Sequence, residues 1–445
     1  MSSPLFYQSN VDLPVIDRGE GIWLIDKSGK RYLDGSSGAV VANIGHGDER
    51  VVEAMRRQAA RVSFTYRTQF ENEPALALAR RLVAKLSQGL DRVFYVSGGS
   101  EAVEAAIKLA RQYHLANGEP GRHLVVSRYP SFHGSTLGAL NATGYTPLTE
   151  PFAPMLAGPN HVCAPTCYRC PLELAYPGCG VACAREFESA LDRLGPESIA
   201  AFILEPIGGA STGAVVAPDE YLGIVAKIAR RHGILLIYDE VMTGVGRTGA
   251  FCAYQHWEET AEVDILTLSK GFGAGYAPLG AIVARSQVVD AVLAAGGFQH
   301  GHTYAGNPLA CAVGLAVLEV IEEDGLIDNA RERGEQLLAG LRALAEGSPI
   351  IGDVRGKGLL IGVEFVQDRA ARAPFAPQLD VYARVCRTCF EEGLIVYPRR
   401  TLGGMDGDHV LIAPPLTISA EDADELIDRF ARAVARCEGA LAGVA

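Results

Sequence analysis

The sequence predicts an α/β protein with a mostly parallel central sheet flanked by helices, together with a smaller α+β unit, and three observations predict it. Short β-branched runs bounded by Gly or Pro alternate with longer helical patterns through the middle of the chain. Toward the C-terminus the texture changes to long helical patterns and Gly-punctuated short strands. The 445 residues are 48% hydrophobic and 21% charged, values of a folded globular chain with room for two or three domains.

The strand-like runs are residues 93–96, 124–127, 201–205, 235–240, 264–270 and 279–284. Between them, 101–114 places Val103, Ala106, Ile107 and Ala110 on one helical face, and 221–232 repeats that pattern. Residues 309–323 and 329–346 read as helices, short strands follow around 356–365 and 394–396, and 420–437 is the last helix. These elements divide the chain into an N-terminal segment (1–60) that joins the small domain, a large domain (61–320) and a C-terminal small domain (321–445). No internal repeat or low-complexity tract interrupts them.

The formal net charge of -12, from 40 basic and 52 acidic side chains, repels phosphate backbones and anionic membranes and argues against nucleic acid as a partner. No basic-then-apolar leader opens the sequence, and no 18-residue stretch is uninterruptedly apolar, so the expected location is cytoplasmic. Ten cysteines then read as reduced thiols or ligands rather than a disulfide framework.

Residues 93–96 lead into Ser97-Gly98-Gly99-Ser100, and a helix begins at Glu101. Two glycines admit close approach of an anion, helix amides point at it, and Ser100 adds a hydroxyl. Such a turn alone is weak evidence, and it has neither a P-loop ending nor a dinucleotide fingerprint. Three ionisable residues, Glu205, Asp239 and Lys270, sit at or just beyond three predicted strand ends, where an open parallel sheet gathers its ligand. A lysine buried there loses basicity and becomes a nucleophile. A carboxylate such as Asp239 beside a pyridine nitrogen favours the protonated, electron-accepting ring, although a helix cap is its plainer role. Phe132-His133-Gly134 offers an aromatic ring and a close-approach glycine for a flat heterocycle, though lone aromatics are usually core.

Taken together, residues 97–111, Glu205-Pro-Ile, 239–249, Leu268-Ser-Lys-Gly271 and 302–308 resemble the class III aminotransferases in order and spacing across nearly the whole chain. The resemblance implies a fold-type-I enzyme using pyridoxal 5'-phosphate, with Lys270 as Schiff-base lysine and proton shuttle and Asp239 on the pyridine nitrogen. It places Phe132 and Val241 on the two ring faces and Gly99 and Ser100 at the phosphate, with His133 and Glu205 also at the cofactor. Thr303 matches a threonine that reaches the neighbouring subunit's phosphate, so a homodimer or dimer of dimers, with an interfacial site and an inactive monomer, is expected.

Departures narrow the substrate. Members acting on 4-aminobutyrate, ornithine or acetylornithine carry arginine after Phe-His-Gly, where this chain has Ser135, which cannot grip a carboxylate bidentately. Leu411 likewise stands where 4-aminobutyrate enzymes pair an arginine with the Glu205 equivalent, and Met242 where a glutamine is common. Phe-His-Gly-Ser-Thr is similar to the ω-amino acid:pyruvate and amine transaminase branch, and Arg399 or Arg400, in a C-terminal Gly-rich loop, is its expected carboxylate clamp. Ser36, Ser37, Gly38, Ala39, Val40 and Tyr66 are the expected substrate walls. The expected reaction moves an amino group from a primary amine or ω-amino acid to a keto acid, pyruvate first. A racemase or epimerase, phospho-lyase or decarboxylase of the same fold is the alternative.

Cys167-x2-Cys170 and Cys179-x3-Cys183, with Cys163 as a spare, have the spacing of a zinc knuckle. A loop of reduced thiols is the plainer reading, and no metal is expected. A binding protein built on such a knuckle with a decayed enzyme fold is a third reading, which the intact Lys270 and Asp239 oppose.

Overall fold

A computed structural model describes residues 5–6, 13–87, 89–158 and 160–442. Strands β1 (Ile16–Glu20), β2 (Trp23–Asp26) and β3 (Arg31–Asp34) form an antiparallel N-terminal meander. The central sheet contains β4 (Leu90–Val96), β5 (Leu124–Tyr129), β6 (His161–Cys163), β7 (Ile199–Leu204), β8 (Leu235–Asp239), β9 (Ile265–Leu268) and β10 (Gly280–Arg285). Its spatial order is β4-β10-β9-β8-β7-β5-β6, and only β10 runs against its neighbours. The mostly parallel α/β fold expected from the sequence is therefore present.

The central strands β7, β8 and β9 are buried on both faces, which is why they read as continuous apolar runs. In β7, Ala201 and Ile203 enter one core with helix Gly99–Ala116, while Phe202 and Leu204 enter the opposite core with helix Tyr221–Arg231. The period-two alternation of side chains accounts for that division. Because β4, β5, β7, β8 and β9 point the same way, the residues that follow them meet along one edge of the sheet.

A second antiparallel sheet has the order β11-β12-β15-β14, made of Ile351–Lys357, Leu360–Phe365, Asp406–Ile412 and Tyr397–Leu402 respectively. The two-residue strand β13 (Leu394–Ile395) pairs in parallel with β3, so the N-terminal meander is hydrogen-bonded to the C-terminal part of the chain. Residues 397–402 are a strand, not the Gly-rich loop in which the family resemblance places Arg399 and Arg400. Gly403 and Gly404, with φ of 62° and 84°, reverse the chain and let β14 pair with β15. No helix among the described residues is long and apolar enough to cross a membrane.

Candidate active site

Asp239, the last residue of β8, is 4% exposed. One carboxylate oxygen lies 2.8 Å from His133 Nδ1. The other accepts from Thr267 Oγ1 and the Val241 amide, each at 3.1 Å. Three partners on three segments fix this carboxylate at the cavity wall. His133 Nε2 is buried without a partner among the described residues.

Lys270 follows β9 and Ser269 with a φ of 48°, a left-handed backbone uncommon outside glycine and often found at functional sites. Its side chain reaches the same cavity as Asp239 and Glu205. Burial lowers its pKa from 10.5 to about 8; Asp239 and Glu205 oppose the shift, and Arg399 and Arg247 reinforce it. A substantial neutral fraction near neutral pH makes the amine both nucleophile and base.

The same shift has a consequence for stability. Between about 8 and 10.5 the unfolded lysine binds more protons than the folded one, so stability of the cofactor-free protein rises with pH across that window. The cost of the buried ammonium is fully present below pH 8. Lys270→Met is expected to stabilise cofactor-free protein at pH 7 by about 1–3 kcal/mol, since part of the amine faces the open cavity. Denaturant unfolding at pH 7 and pH 10 checks this, and equal or lower stability of the variant at pH 7 contradicts it.

Helix Gly99–Ala116 starts at the cavity with Gly98 as its cap, and among the described residues no side chain caps its first amides. A Cβ at Gly99 would lie 2.8 Å from Val241 Cγ1, so only glycine lets the turn pass that close. Ser100 Oγ accepts from the Ser135 amide at 3.0 Å, and a Cβ at Gly134 would approach that oxygen to 2.7 Å. The open amides, the glycine cradle and the Ser100 hydroxyl form an anion seat that fits a phosphate. Phe132 and Val241 line the space between this seat and Asp239, which suits a flat ring.

Glu205 Oε1 accepts from the Gly209 amide at 3.0 Å, and Oε2 is buried without a hydrogen bond among the described residues. Arg128 Nη2 stands 3.9 Å from that oxygen. Burial raises the Glu205 pKa, opposed by His133 and Arg128 and assisted by Asp239. Arg128 and Thr267 were not read from the sequence as parts of the site. Arg128 carried a faint signal as the one cation in the apolar run of β5, and Thr267 carried none.

Arg399 lines the cavity, its Nη2 donating to Tyr397 Oη at 2.8 Å and its guanidinium 4.8 Å from that ring. Arg400, offered as its equal, points to the other face of β14. There it is held by Asp408 at 3.2 Å and Asp380 at 2.6 Å and stacks on Tyr382. Strand alternation separates the two arginines, and Arg400 is removed from the substrate contacts. Val40 is also corrected: at 1% exposure it packs in the core and lines no cavity. Tyr66 and Thr303 are exposed on the surface of this chain, outside the cavity.

All ten cysteines are free thiols. Cys167, Cys170, Cys179 and Cys183 line one small surface pocket. Among the described residues no three His, Cys, Asp or Glu side chains converge as a metal ion requires.

A parallel sheet that gathers a buried lysine, an aspartate-histidine pair and an uncapped helix N-terminus defines a pyridoxal-phosphate enzyme. The sequence model of the family described as Aminotransferase class-III matches residues 6–434. The chain belongs to the class III aminotransferases. An uncharacterized aminotransferase of Bacillus subtilis, YodT, is 40% identical over 427 residues, 96% of each chain. The adenosylmethionine-8-amino-7-oxononanoate aminotransferase of Geobacter sulfurreducens is 38% identical over 426 residues, covering 94% of this chain and 91% of its own length. Among solved structures, a PLP-bound amine transaminase from an uncultivated Pseudomonas species superposes with a TM-score of 0.92 at 35% identity, over 98% of this chain and 99% of that one.

Proposed function

We propose that this aminotransferase takes the amino group of a primary amine or ω-amino acid and passes it to a keto acid with a single carboxylate, pyruvate first. The observation that carries this reading is Arg399, which shares the cavity with Lys270 and has no carboxylate partner among the described residues. It is the only guanidinium lining that cavity among the described residues, so a second carboxylate, as in 2-oxoglutarate, has no bidentate partner there. The remaining wall is mostly apolar, with Leu148, Ile207 and Met242, and accepts the hydrocarbon part of an amine.

In this reading Gly99 and Ser100 hold the cofactor phosphate, Phe132 and Val241 flank its ring, and Asp239 holds the ring nitrogen. Bound pyridoxal phosphate supplies an electrophilic carbonyl and a protonated ring that takes up an electron pair. Lys270 would take the Cα proton of the donor and give it up at the cofactor's carbonyl-derived carbon rather than back to the donor, and Asp239, steadied by His133 and Thr267, would pair with the ring nitrogen. Arg399 orients the acceptor through its carboxylate. Thr303 and Tyr66 of a second copy of this chain complete the cavity. The surface that carries them is aromatic: Phe64 and Tyr304 meet edge to face at 6.0 Å, and Tyr66 and Phe70 are exposed beside them.

Arg399→Ala is expected to raise KM for pyruvate about 10- to 100-fold, the loss of a charge-assisted pair, and to change the half-reaction with a carboxylate-free amine less than about twofold. A panel of amines, S-adenosylmethionine, pyruvate and 2-oxoglutarate tests the substrate reading. Turnover with 2-oxoglutarate equal to or above that with pyruvate removes the acceptor assignment.

A further inference from the structure

Arg247 is fully buried, and among the described residues it forms no ion pair. Burial lowers its pKa to about 9, with only Asp34 acting the other way. A cation in this position is costly to retain, and an apolar side chain would fill the same volume. Its hydrogen bonds show what it holds together. Nη1 donates to the carbonyls of Leu359 and Pro414, and Nη2 to Ser37 Oγ at 3.1 Å and Asn43 Oδ1 at 2.9 Å. The acceptors lie on the N-terminal segment, on the turn between β11 and β12, and on the stretch after β15.

The N-terminal stretch it grips is strained, with φ of 50° at Ser37 and 60° at Val40. Ser37 Oγ donates onward to the Ala413 carbonyl at 2.8 Å, and the Leu416 amide donates to the Asn43 carbonyl at 2.7 Å. Asn43 Nδ2 donates to the Val245 carbonyl at 2.9 Å. The same amide lies against the backbone next to Lys270, for a Cβ at Gly271 would come within 2.2 Å of Asn43 Nδ2. The turn it touches closes by bonds from the Gly273 and Ala274 amides to the Lys270 carbonyl, at 3.1 and 2.9 Å.

We propose that Arg247 and Asn43 are positioning residues for Lys270: Arg247 orients the Asn43 amide, and that amide holds the turn that presents the lysine. The inference rests on reading Lys270 as the reactive amine. Through this pair, the N-terminal segment and the C-terminal sheet are tied to the left-handed backbone of Lys270. Arg247 also places a positive charge near the amine, opposed only by Asp34. The charged groups facing Lys270 are Asp239 at the end of β8, Glu205 after β7, Arg399 on β14 and Arg247, and the two arginines disfavour its protonation.

The test uses cofactor-free wild type, Asn43→Ala, Arg247→Lys and Arg247→Met. Hydrogen exchange is followed at the amides of residues 272–274 and 37–43, and the pH dependence of Lys270 acylation by acetic anhydride is followed by mass spectrometry. Asn43→Ala is expected to speed exchange at 272–274 about tenfold or more. Arg247→Lys speeds exchange at both stretches with the acylation midpoint unchanged. Arg247→Met does the same and raises that midpoint by about half a unit to one unit. Exchange at 272–274 unchanged in Asn43→Ala and Arg247→Lys overturns the proposal, whether or not Arg247→Met folds. Lowered thermal stability with wild-type exchange and midpoint marks a purely structural role and overturns it equally. Neither readout needs turnover, so an active Lys270→Ala enzyme would sink the functional reading and leave this result to be judged by itself.

Discussion

Lys270→Ala is expected to cut turnover about 10,000-fold or more while the protein stays folded. The substitution removes the only lysine lining the cavity among the described residues, and with it, in the proposed reading, both the nucleophile that fixes the cofactor and the base that moves the Cα proton. General-base loss alone accounts for about 100- to 10,000-fold, and loss of the covalent hold adds to it. Fold integrity is expected because the ammonium is costly where it sits, so its removal relieves the cofactor-free protein. Single-turnover reaction of cofactor-loaded protein with a primary amine, alongside thermal unfolding, measures both effects. A variant that stays yellow and keeps more than about 1% of turnover contradicts the assignment.

Asp239→Asn is expected to lower turnover about 100- to 1,000-fold, the scale for removing one preorganised electrostatic partner. The amide is nearly isosteric with the carboxylate and can still accept from the Val241 amide and Thr267 at one end. What it loses is the charge: it cannot favour a protonated ring nitrogen, and its NH2 meets His133 only if the imidazole presents an acceptor nitrogen. The absorbance of the bound cofactor as a function of pH reports the ring directly. Unchanged spectra and turnover within about tenfold of wild type would remove Asp239 from beneath the ring.

The most legible parts of the molecule were those in which a short stretch of sequence determines its own environment. β7 and β8 read as buried strands because every side chain in them is apolar or sits at the strand end, and Glu205, Asp239 and Lys270 were found by their place after such runs. The anion seat at Gly99 and Ser100 was legible for the same reason, since the helix start and its glycines are contiguous. β14 was not legible: the family resemblance and the glycines beside it place its arginines in a loop, and the strand is made by pairing with β15. Val40 was misplaced because the family resemblance lays its segment over the pocket, whereas here, with a φ of 60°, the residue packs in the core.

By itself, then, the sequence determined the parallel sheet, its helices, the lysine and aspartate at neighbouring strand ends, and the family these define. Tertiary structure alone decided that Arg399 rather than Arg400 faces the cavity, that Arg128 backs Glu205, and that Arg247 bonds the Asn43 amide that packs against Gly271. The reason is physical: local periodicity fixes which elements form, whereas the face a strand presents and the partner of a buried charge depend on chain segments distant in sequence.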